Sequence, residues 1–388
     1  MTGVQTCALP IWGSRNAIAE LQGRPVPAPG PEAELWMGAH PSAPSGVAGS
    51  TLDAVIAADP DRELGPACVA RFGPRLPFLL KVLSADQALS IQLHPTRAQA
   101  QAGFRAKNVN YVDDWPKPEL LCALTPFEVL AGLRPPREAA AVLRALSVAE
   151  LAPLAAELAA ATAPDALSRA LAAVLEWPQA SREELVSSVT AACATLAATD
   201  GPYAGACAAA VRVAGDHPGD LGVVAMLLMR HEVLAPGQAV FMPAGGLHAY
   251  IKGVGVELMA NSDNVLRAGL TAKHVDIPEL LRVVDPAVAV PVIKPRPLPG
   301  SVFAYDAPVP EFQLYKMQLT AAATALPDAG PRIALCLDGT AVLESQGDHL
   351  KLGSGESCFI PACDGAVTAA GNAVLFIAAS GPMTGDPA

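Results

Sequence analysis

The sequence has no long apolar run, and positive charge is scarce. The longest apolar runs, such as Leu221–Met229, stop at about nine residues, whereas a helix that crosses a bilayer needs ~20. The chain has 26 Lys and Arg against 37 Asp and Glu, which gives a net charge of −11. A general binder of nucleic acid or anionic membranes needs a positive footprint. We therefore predict no membrane-spanning helix, and neither nucleic acid nor a membrane as partner.

Closely spaced cysteine pairs and a basic N-terminal flank are also missing. The eight cysteines are scattered and form no C-x-x-C pair, so we expect free, mostly buried thiols in a reducing compartment. No Lys or Arg precedes Arg15, and a signal peptide begins with a basic region. The two absences predict a cytoplasmic protein. The sequence does not specify an oligomeric state.

The first residues have an unusual origin in our interpretation. Thr2–Ile11 reads T-G-V-Q-T-C-A-L-P-I, which is what a widely used short-read sequencing adapter encodes when it is translated in one frame. Our hypothesis is that residues 1–11 are a scar of gene assembly and that the natural reading begins near Trp12. Segments of this kind are left out of fold reasoning.

The rest of the chain divides into β-rich and helical parts. Hydrophobic residues make up 52% of the 388 residues, which excludes a disordered chain, and the length favours two or three domains. Short apolar alternations predict a β domain at 12–134 that resumes at 231–290. Alanine and leucine at helical spacing predict a helical insertion domain at 135–230. A second β domain follows at 291–388, after a proline-rich linker.

The helical insertion carries start and stop signals. We predict five or six helices, two of them opened by capping boxes at Ser147-x-x-Glu150 and Ser181-x-x-Glu184. The last helix is predicted to end near His231.

A weak internal repeat relates the two β domains. A turn pattern that begins at Gly237 and ends at His248 recurs in part from Gly355, where Ala366 takes the place of the histidine. We interpret the two copies as related β-barrels and predict that residues 300–388 bind no metal. A chance match is the alternative.

Four residues are candidate metal ligands. Gln92 and His94 alternate with apolar residues, so a strand would present them on one face. His248 follows a glycine turn, and Glu119 follows a proline that holds its neighbour extended. An amide oxygen, two imidazoles and a carboxylate suit Zn²⁺ or another divalent transition metal. Each of the four, taken alone, is more often a structural residue than a metal ligand.

A polar run that begins at Glu257 and ends at Lys273 lies between apolar strands. Arg267 and Lys273 in this run are candidate donors for an anionic substrate, since a guanidinium fork bonds two phosphate oxygens. The alternative is a solvated loop with structural salt bridges, such as one from Arg267 to Asp263 or Glu257.

These residues belong to two motifs that resemble a known family. The family signature Y-x-D-x-N-H-K-P-E appears as Tyr111–Glu119, with Trp115-Pro116 in place of Asn-His. The second signature, H-A-Y-x-x-G onward to S-D-N-x-x-R-A-G-x-T-P-K, runs from His248 to Lys273 and departs only at Ala272. The chain resembles the type I mannose-6-phosphate isomerases, zinc enzymes of the cupin superfamily. The resemblance implies a mainly β fold with an α-helical insertion: a cupin (jelly-roll) β-barrel, a helical domain and a second, cupin-like C-terminal β domain.

The resemblance also implies an activity and a site. The reaction interconverts mannose 6-phosphate and fructose 6-phosphate through a cis-enediol, with a sugar phosphate as the small-molecule partner. It implies one Zn²⁺ per chain on Gln92, His94, Glu119 and His248, and Arg267 as the active-site arginine. Candidates for substrate binding or proton handling are Lys117, Glu257, Lys273, Ser90 and Tyr250, and the general base is not assigned among them. The rival functions are a sugar-phosphate isomerase of different hexose preference, a non-catalytic sugar-binding cupin and an iron-dependent oxygenase.

Overall fold

The β-strands of the N-terminal part build one closed, jelly-roll-like sheet. The structure is a computed structural model that describes residues 5–6, 11–47, 49–163 and 165–382. Its first thirteen strands are β1 (Gln5–Thr6), β2 (Glu34–Met37), β3 (Gly46–Val47), β4 (Ser50–Thr51), β5 (Phe78–Ala85), β6 (Ile91–Leu93), β7 (Glu119–Ala123), β8 (Phe127–Leu133), β9 (Met229–Leu234), β10 (Ala239–Met242), β11 (His248–Ala260), β12 (Leu266–Gly269) and β13 (Val292–Ile293). β3 and β4 pair only with each other, and the other eleven form the sheet.

Strand β11 belongs to both walls of this barrel. Its second half, from Gly253 to Ala260, pairs between β5 and β7, and its first half, from His248 to Lys252, pairs between β6 and β8. The register on β8 shifts between Tyr250 and Lys252, and a bulge of this kind bends a strand. One wall is therefore β1-β2-β5-β11-β7-β10-β13, and the other contains β12, β6, β11, β8 and β9.

A second, eight-stranded sheet follows and shares a core with the first. Its strands are β14 (Arg296–Leu298), β15 (Val302–Tyr305), β16 (Gln313–Leu319), β17 (Thr324–Ala325), β18 (Arg332–Ser345), β19 (Asp348–Gly353), β20 (Ser357–Ile360) and β21 (Thr368–Ala379). Phe78 and Phe241 of the first sheet lie in one apolar cluster with Phe312, Phe359 and Phe376 of the second. The proline-rich segment joins the sheets through β13, which pairs with β10, and β14, which pairs with β15.

The helices surround the first barrel. They are α1 (Ala17–Leu21), α2 (Leu52–Ala58), α3 (Pro60–Leu64), α4 (Pro66–Phe72), α5 (Arg97–Arg105), α6 (Pro136–Leu146), α7 (Ala152–Ala160), α8 (Asp165–Leu175), α9 (Arg182–Ala197), α10 (Ala204–Asp216), α11 (Gly222–Ala225) and α12 (Ile277–Val283). In the portion of the chain that is described, none of these is long and apolar enough to cross a membrane.

Helices α6 to α11 form the insertion between β8 and β9, so the predicted fold class, a cupin β-barrel with a helical insertion, is confirmed. The insertion packs an alanine- and leucine-rich core against the barrel. β8 and β9 pair directly, with Leu133 opposite Met229, so the chain leaves and re-enters the barrel at one place. The first part, predicted as β, also contains the short helices α1 to α5.

Three local predictions for the insertion are wrong. Ser147 ends α6 in a left-handed conformation, with a φ of 56°, and the Ser181 hydroxyl donates to the Pro178 carbonyl instead of capping α9. A complete capping box is instead found at the start of α5, where the side chains of Thr96 and Gln99 both make its hydrogen bonds. The segment around His231 is strand β9, because pairing with β8 outweighs its helical spacing.

The N-terminal segment is described only in part. Gln5 and Thr6 pair with Trp36 and Leu35 of β2. Residues 1–4 and 7–10 lie outside the described residues, so the hypothesis of a gene-assembly scar at residues 1–11 stays a hypothesis.

An ion pair links α5 to the second sheet and gives a stability prediction. Arg97 pairs with Glu311, whose side chain is 3% exposed. Arg97→Ala leaves that carboxylate buried and unpaired, so we expect the free energy of unfolding to fall by about 2 kcal/mol, less than the ~3–5 kcal/mol of a fully buried pair. Urea unfolding measures the change. Arg105→Ala, an exposed arginine on the same helix, is the control, and an equal loss in both variants would contradict the prediction.

A candidate metal centre in the first barrel

Three strands bring two histidines and one carboxylate together. His94 follows β6 directly, Glu119 begins β7 and His248 begins β11. Nε2 of His94 lies 3.2 Å from Oε1 of Glu119, and Nε2 of His248 lies 3.2 Å from Oε2. Potential ligand atoms of the three residues all lie within 4.8 Å of one another, and all three residues are buried. This is the donor set and spacing of a divalent metal centre.

The orientation of both imidazoles fits a bound metal. Nδ1 of His94 lies 2.8 Å from the main-chain oxygen of Asn264, and Nδ1 of His248 lies 3.0 Å from that of Gly246. A carbonyl only accepts, so each Nδ1 carries the proton and each Nε2 offers its lone pair toward Glu119. Both Nε2 atoms and Oε2 of Glu119 are buried, and no hydrogen-bond partner for them lies in the part of the chain that the structure describes. Such orphaned atoms are costly unless a ligand satisfies them, so the three residues fit a metal ion.

Electrostatics favour the metal-binding protonation states. Burial lowers the pKa of His94 to about 4, although the Glu119 carboxylate opposes this, so the imidazole is neutral near pH 7. Burial alone would raise the pKa of Glu119, but the Lys117 ammonium, whose Nζ lies 3.1 Å from Oε1, helps to hold it well below its ordinary value. A neutral imidazole and an ionised carboxylate are the forms that bind metal.

Gln92 and Arg267 lie in the same ladder as His248. Across β12, β6 and β11, Arg267 is opposite Gln92, and Gln92 is opposite His248. Directly opposite residues present their side chains on one face of a sheet. The face that carries the second histidine therefore also carries the amide and the guanidinium.

A cavity of about 650 Å³ opens in front of this centre. Its lining includes every candidate predicted from the sequence except the two fully buried histidines: Ser90, Gln92, Lys117, Glu119, Tyr250, Glu257, Arg267 and Lys273. The structure thus brings to one cavity residues that are spread over nearly half of the chain.

Arg267 lines the cavity as a cation without a counter-charge. Burial lowers the pKa of its guanidinium, and within the described ranges no hydrogen bond or ion pair reaches it. The alternative salt bridges are not formed, because Asp263 contacts His40 at 3.3 Å and Glu257 contacts Lys81 at 3.3 Å. A half-buried guanidinium without a protein partner is suited to binding an anionic ligand.

A network of buried ion pairs and hydrogen bonds also lines the cavity, and the sequence analysis predicted only some of its residues. Nζ of Lys81 lies 3.2 Å from Glu34 and 3.3 Å from Glu257, and the Tyr250 hydroxyl donates to Glu257 at 2.7 Å. Burial would lower the pKa of Lys81, but the Glu34 and Glu257 carboxylates hold it above its ordinary value. For Glu257, burial raises the pKa and Lys81 opposes the rise. The network therefore places a charged ammonium beside a carboxylate whose proton affinity is increased.

Sequence reasoning missed Lys81, Trp36 and His217, which also line the cavity. Lys81 did leave a signal, since it is the one charged residue in the wholly buried strand β5. Trp36 lies under Lys81, with the ammonium 4.8 Å from the ring centroid. His217 comes from the end of α10, so the helical insertion contributes to the cavity wall, and no sequence pattern indicated this.

Family models match two parts of the chain, and known proteins match most of its length. The model of the phosphomannose isomerase type I catalytic domain matches residues 4–136, and that of the mannose-6-phosphate isomerase cupin domain matches residues 304–379. The mannose-6-phosphate isomerase of Escherichia coli is 36% identical over 94% of this chain and 95% of its own. That of Rattus norvegicus is 31% identical over 90% of this chain and 84% of its own.

Solved structures of phosphomannose isomerases also match this chain over most of its length. A mutant of phosphomannose isomerase from Salmonella typhimurium superposes with a TM-score of 0.88 at 34% identity, covering 98% of this chain and 99% of that one. A mannose 6-phosphate isomerase bound with zinc and yttrium gives a TM-score of 0.87 at 34% identity, covering 98% and 100%.

Fold and site together define a cupin enzyme with a candidate metal centre in its first barrel. More narrowly, the chain belongs to the type I phosphomannose isomerases, and the predicted activity, that of a mannose-6-phosphate isomerase, is confirmed. A non-catalytic cupin and an iron-dependent oxygenase are set aside.

Proposed function

We propose that the cavity in front of His94, Glu119 and His248 interconverts mannose 6-phosphate and fructose 6-phosphate. The observation that carries this assignment is that the orphaned metal-ligand atoms of His94, Glu119 and His248 lie at a cavity that Glu119 and the uncompensated Arg267 both line. A sugar phosphate supplies both the anion and the hydroxyl oxygens that such a cavity would bind.

The cofactor we assign is Zn²⁺, one per chain, held by His94, Glu119 and His248 with Gln92 as fourth ligand. Support comes from the nitrogen and oxygen donor set and from the zinc in the solved relative. When bound, the ion would act as a Lewis acid that stabilises negative charge developing on a substrate oxygen.

The protein groups bind the substrate and move its proton. We assign to Arg267 and Lys273 the binding of anionic oxygens, because both line the cavity and Lys273 is exposed. The isomerisation takes a proton from C2 and returns one to C1 through a cis-enediol. We assign this proton handling to the Lys81 and Glu257 pair, in which the Tyr250 hydroxyl fixes one carboxylate oxygen. Ser90 and Lys117 complete the polar lining.

Removal of the metal tests the assignment. After dialysis against a strong chelator, we expect the coupled isomerase rate on mannose 6-phosphate to fall at least tenfold and the melting temperature to fall by several degrees, because a ligand that binds only the folded state stabilises it. Added Zn²⁺ should restore both. Full activity in protein that is metal-free by elemental analysis would contradict the zinc assignment. A faster rate on another aldohexose phosphate would contradict the substrate assignment.

We also propose a cytoplasmic location with a small sugar phosphate as partner. The seven cysteines in the described part of the chain are free, and six of them are buried, as expected in a reducing compartment.

A further inference from the structure

Asn264 contacts both halves of the candidate metal centre. Its main-chain oxygen accepts the Nδ1 hydrogen of His94 at 2.8 Å. Its side-chain amide, which is fully buried, donates to the main-chain oxygens of Trp115 at 2.8 Å and Asp113 at 2.9 Å. Its Oδ1 accepts the main-chain N–H of Val112 at 2.9 Å. One residue therefore holds a histidine of the centre with its backbone and a separate chain segment with its side chain.

The segment that Asn264 holds leads directly to the carboxylate of the centre. Trp115 is followed by Pro116, Lys117, Pro118 and Glu119. A proline fixes its own φ and keeps the residue before it extended. Because two of the residues between Trp115 and Glu119 are prolines, the position of the Trp115 carbonyl restricts the position of Glu119. The Ala260 N–H adds a hydrogen bond to the Pro118 carbonyl at 3.1 Å.

The hydrogen-bond chemistry requires an amide at this position. The amide nitrogen faces three oxygens, the main-chain oxygens of Trp115 and Asp113 and Oδ1 of Asp113 at 3.0 Å. The amide oxygen faces a main-chain N–H. An aspartate has the same shape, but its ionised carboxylate only accepts hydrogen bonds. It would place an oxygen, in place of the amide nitrogen, against three oxygens that also accept. An alanine would leave these buried groups unpaired.

We infer that Asn264 is a positioning residue of the metal centre, which sets the distance between His94 and Glu119. Residues that orient metal ligands from behind contribute ~10–100-fold to metal affinity or activity. The inference rests on the proposed zinc site. It goes further because it assigns a role in metal retention to a residue that does not itself bind the ion.

Zinc affinity tests the inference directly. We expect Asn264→Asp to bind Zn²⁺ ~10–100-fold more weakly in competition with a chromophoric chelator. Its kcat should rise toward the wild-type value when excess Zn²⁺ is added, and KM for mannose 6-phosphate should change little. Asn264→Ala should show the same pattern. The control is Asn261→Ala in the same polar run, whose side chain makes one long hydrogen bond, 3.4 Å to Leu76, and it should retain wild-type zinc affinity.

Several outcomes would overturn the inference. Wild-type zinc affinity in a folded Asn264→Asp protein would do so, as would a kcat loss that excess Zn²⁺ does not reduce. If Asn264→Asp does not fold, Ser262→Ala is the second variant to measure. The Ser262 hydroxyl supports the same contacts, because it donates to Oδ1 of Asp113 at 2.8 Å and accepts the Asn264 N–H at 3.2 Å. It should weaken zinc binding less, and no change would count against the inference. Failure of wild-type protein to bind zinc would instead overturn the proposed function.

Discussion

His248→Ala should lose both the metal and the isomerase activity while the protein stays folded. Nε2 of His248 is one of the three orphaned ligand atoms, and its removal leaves His94 and Glu119 as the remaining close donors. A centre with one ligand fewer binds zinc far more weakly. We expect less than one-tenth of the wild-type zinc content after gel filtration, and a rate on mannose 6-phosphate at least a hundredfold lower.

The fold should survive because His248 lies in β11, whose backbone pairing on both sides does not use the imidazole. Far-ultraviolet circular dichroism and the melting temperature check this. His349→Ala is the matched control, since that side chain is 60% exposed on β19 in the second sheet. Stoichiometric zinc in a purified His248→Ala, Glu119→Ala double variant would refute the assigned ligands.

Arg267→Ala should lower kcat by ~10²–10³, the usual cost of removing one preorganised donor that stabilises developing charge. The guanidinium stays charged at all relevant pH values, so it suits charge stabilisation better than proton abstraction. Because Arg267 makes no ion pair within the described residues, its loss leaves no carboxylate unpaired. Zinc content and melting temperature should therefore stay near the wild-type values, and steady-state kinetics with mannose 6-phosphate measure the effect.

Arg267→Lys separates charge from geometry. Lysine keeps the positive charge and loses the planar fork that bonds two oxygens, so activity should return only in part. Lys351→Ala, an exposed cation on β19, controls for a general change in net charge. A near-normal kcat in Arg267→Ala together with a lowered melting temperature would remove Arg267 from the active site.

Much of the candidate metal centre could be proposed from the sequence, because its signals are local and lie in motifs of the family. Gln92 and His94 alternate with apolar residues, and Glu119 stands in a proline-restricted motif, so a few adjacent residues specify each ligand's surroundings. The class of fold was predictable from the change between β-type alternation and helical spacing. Both kinds of signal depend on sequence neighbours, which a single sequence displays directly.

Glu257 was a candidate from the sequence, but its contact with the Tyr250 hydroxyl was not predictable. It lies nine residues after His248, and strict alternation along one strand would point the two side chains to opposite faces. The register shift between Tyr250 and Lys252 changes the alternation, and the Tyr250 hydroxyl reaches Glu257 at 2.7 Å. A bulge is a property of strand pairing, so the sequence of one strand does not reveal it.

The errors in the helical insertion have a similar cause. The last helix was predicted to end near His231, but Met229–Leu234 pair with β8, which is distant in sequence. Ser147 and Ser181 have the residue spacing of capping boxes, but their hydroxyls donate to carbonyls in the preceding turn. The short helices α1 to α5 give too few turns for a 3.6-residue period to emerge.

The pairing of Leu133 with Met229 across the insertion has a consequence for how the chain assembles. Glu119 and His248 come from opposite sides of the insertion, and closing a long flexible loop between them costs conformational entropy. The insertion shares its apolar core with barrel residues such as Leu93 and Leu266, but its main helix pairs, α6 with α7 and α9 with α10, are neighbours in sequence. Once they pack, the ends of β8 and β9 are already adjacent, and the remaining loop is short. The insertion thus makes the contact between these two candidate ligands, distant along the chain, a nearly local one in folding.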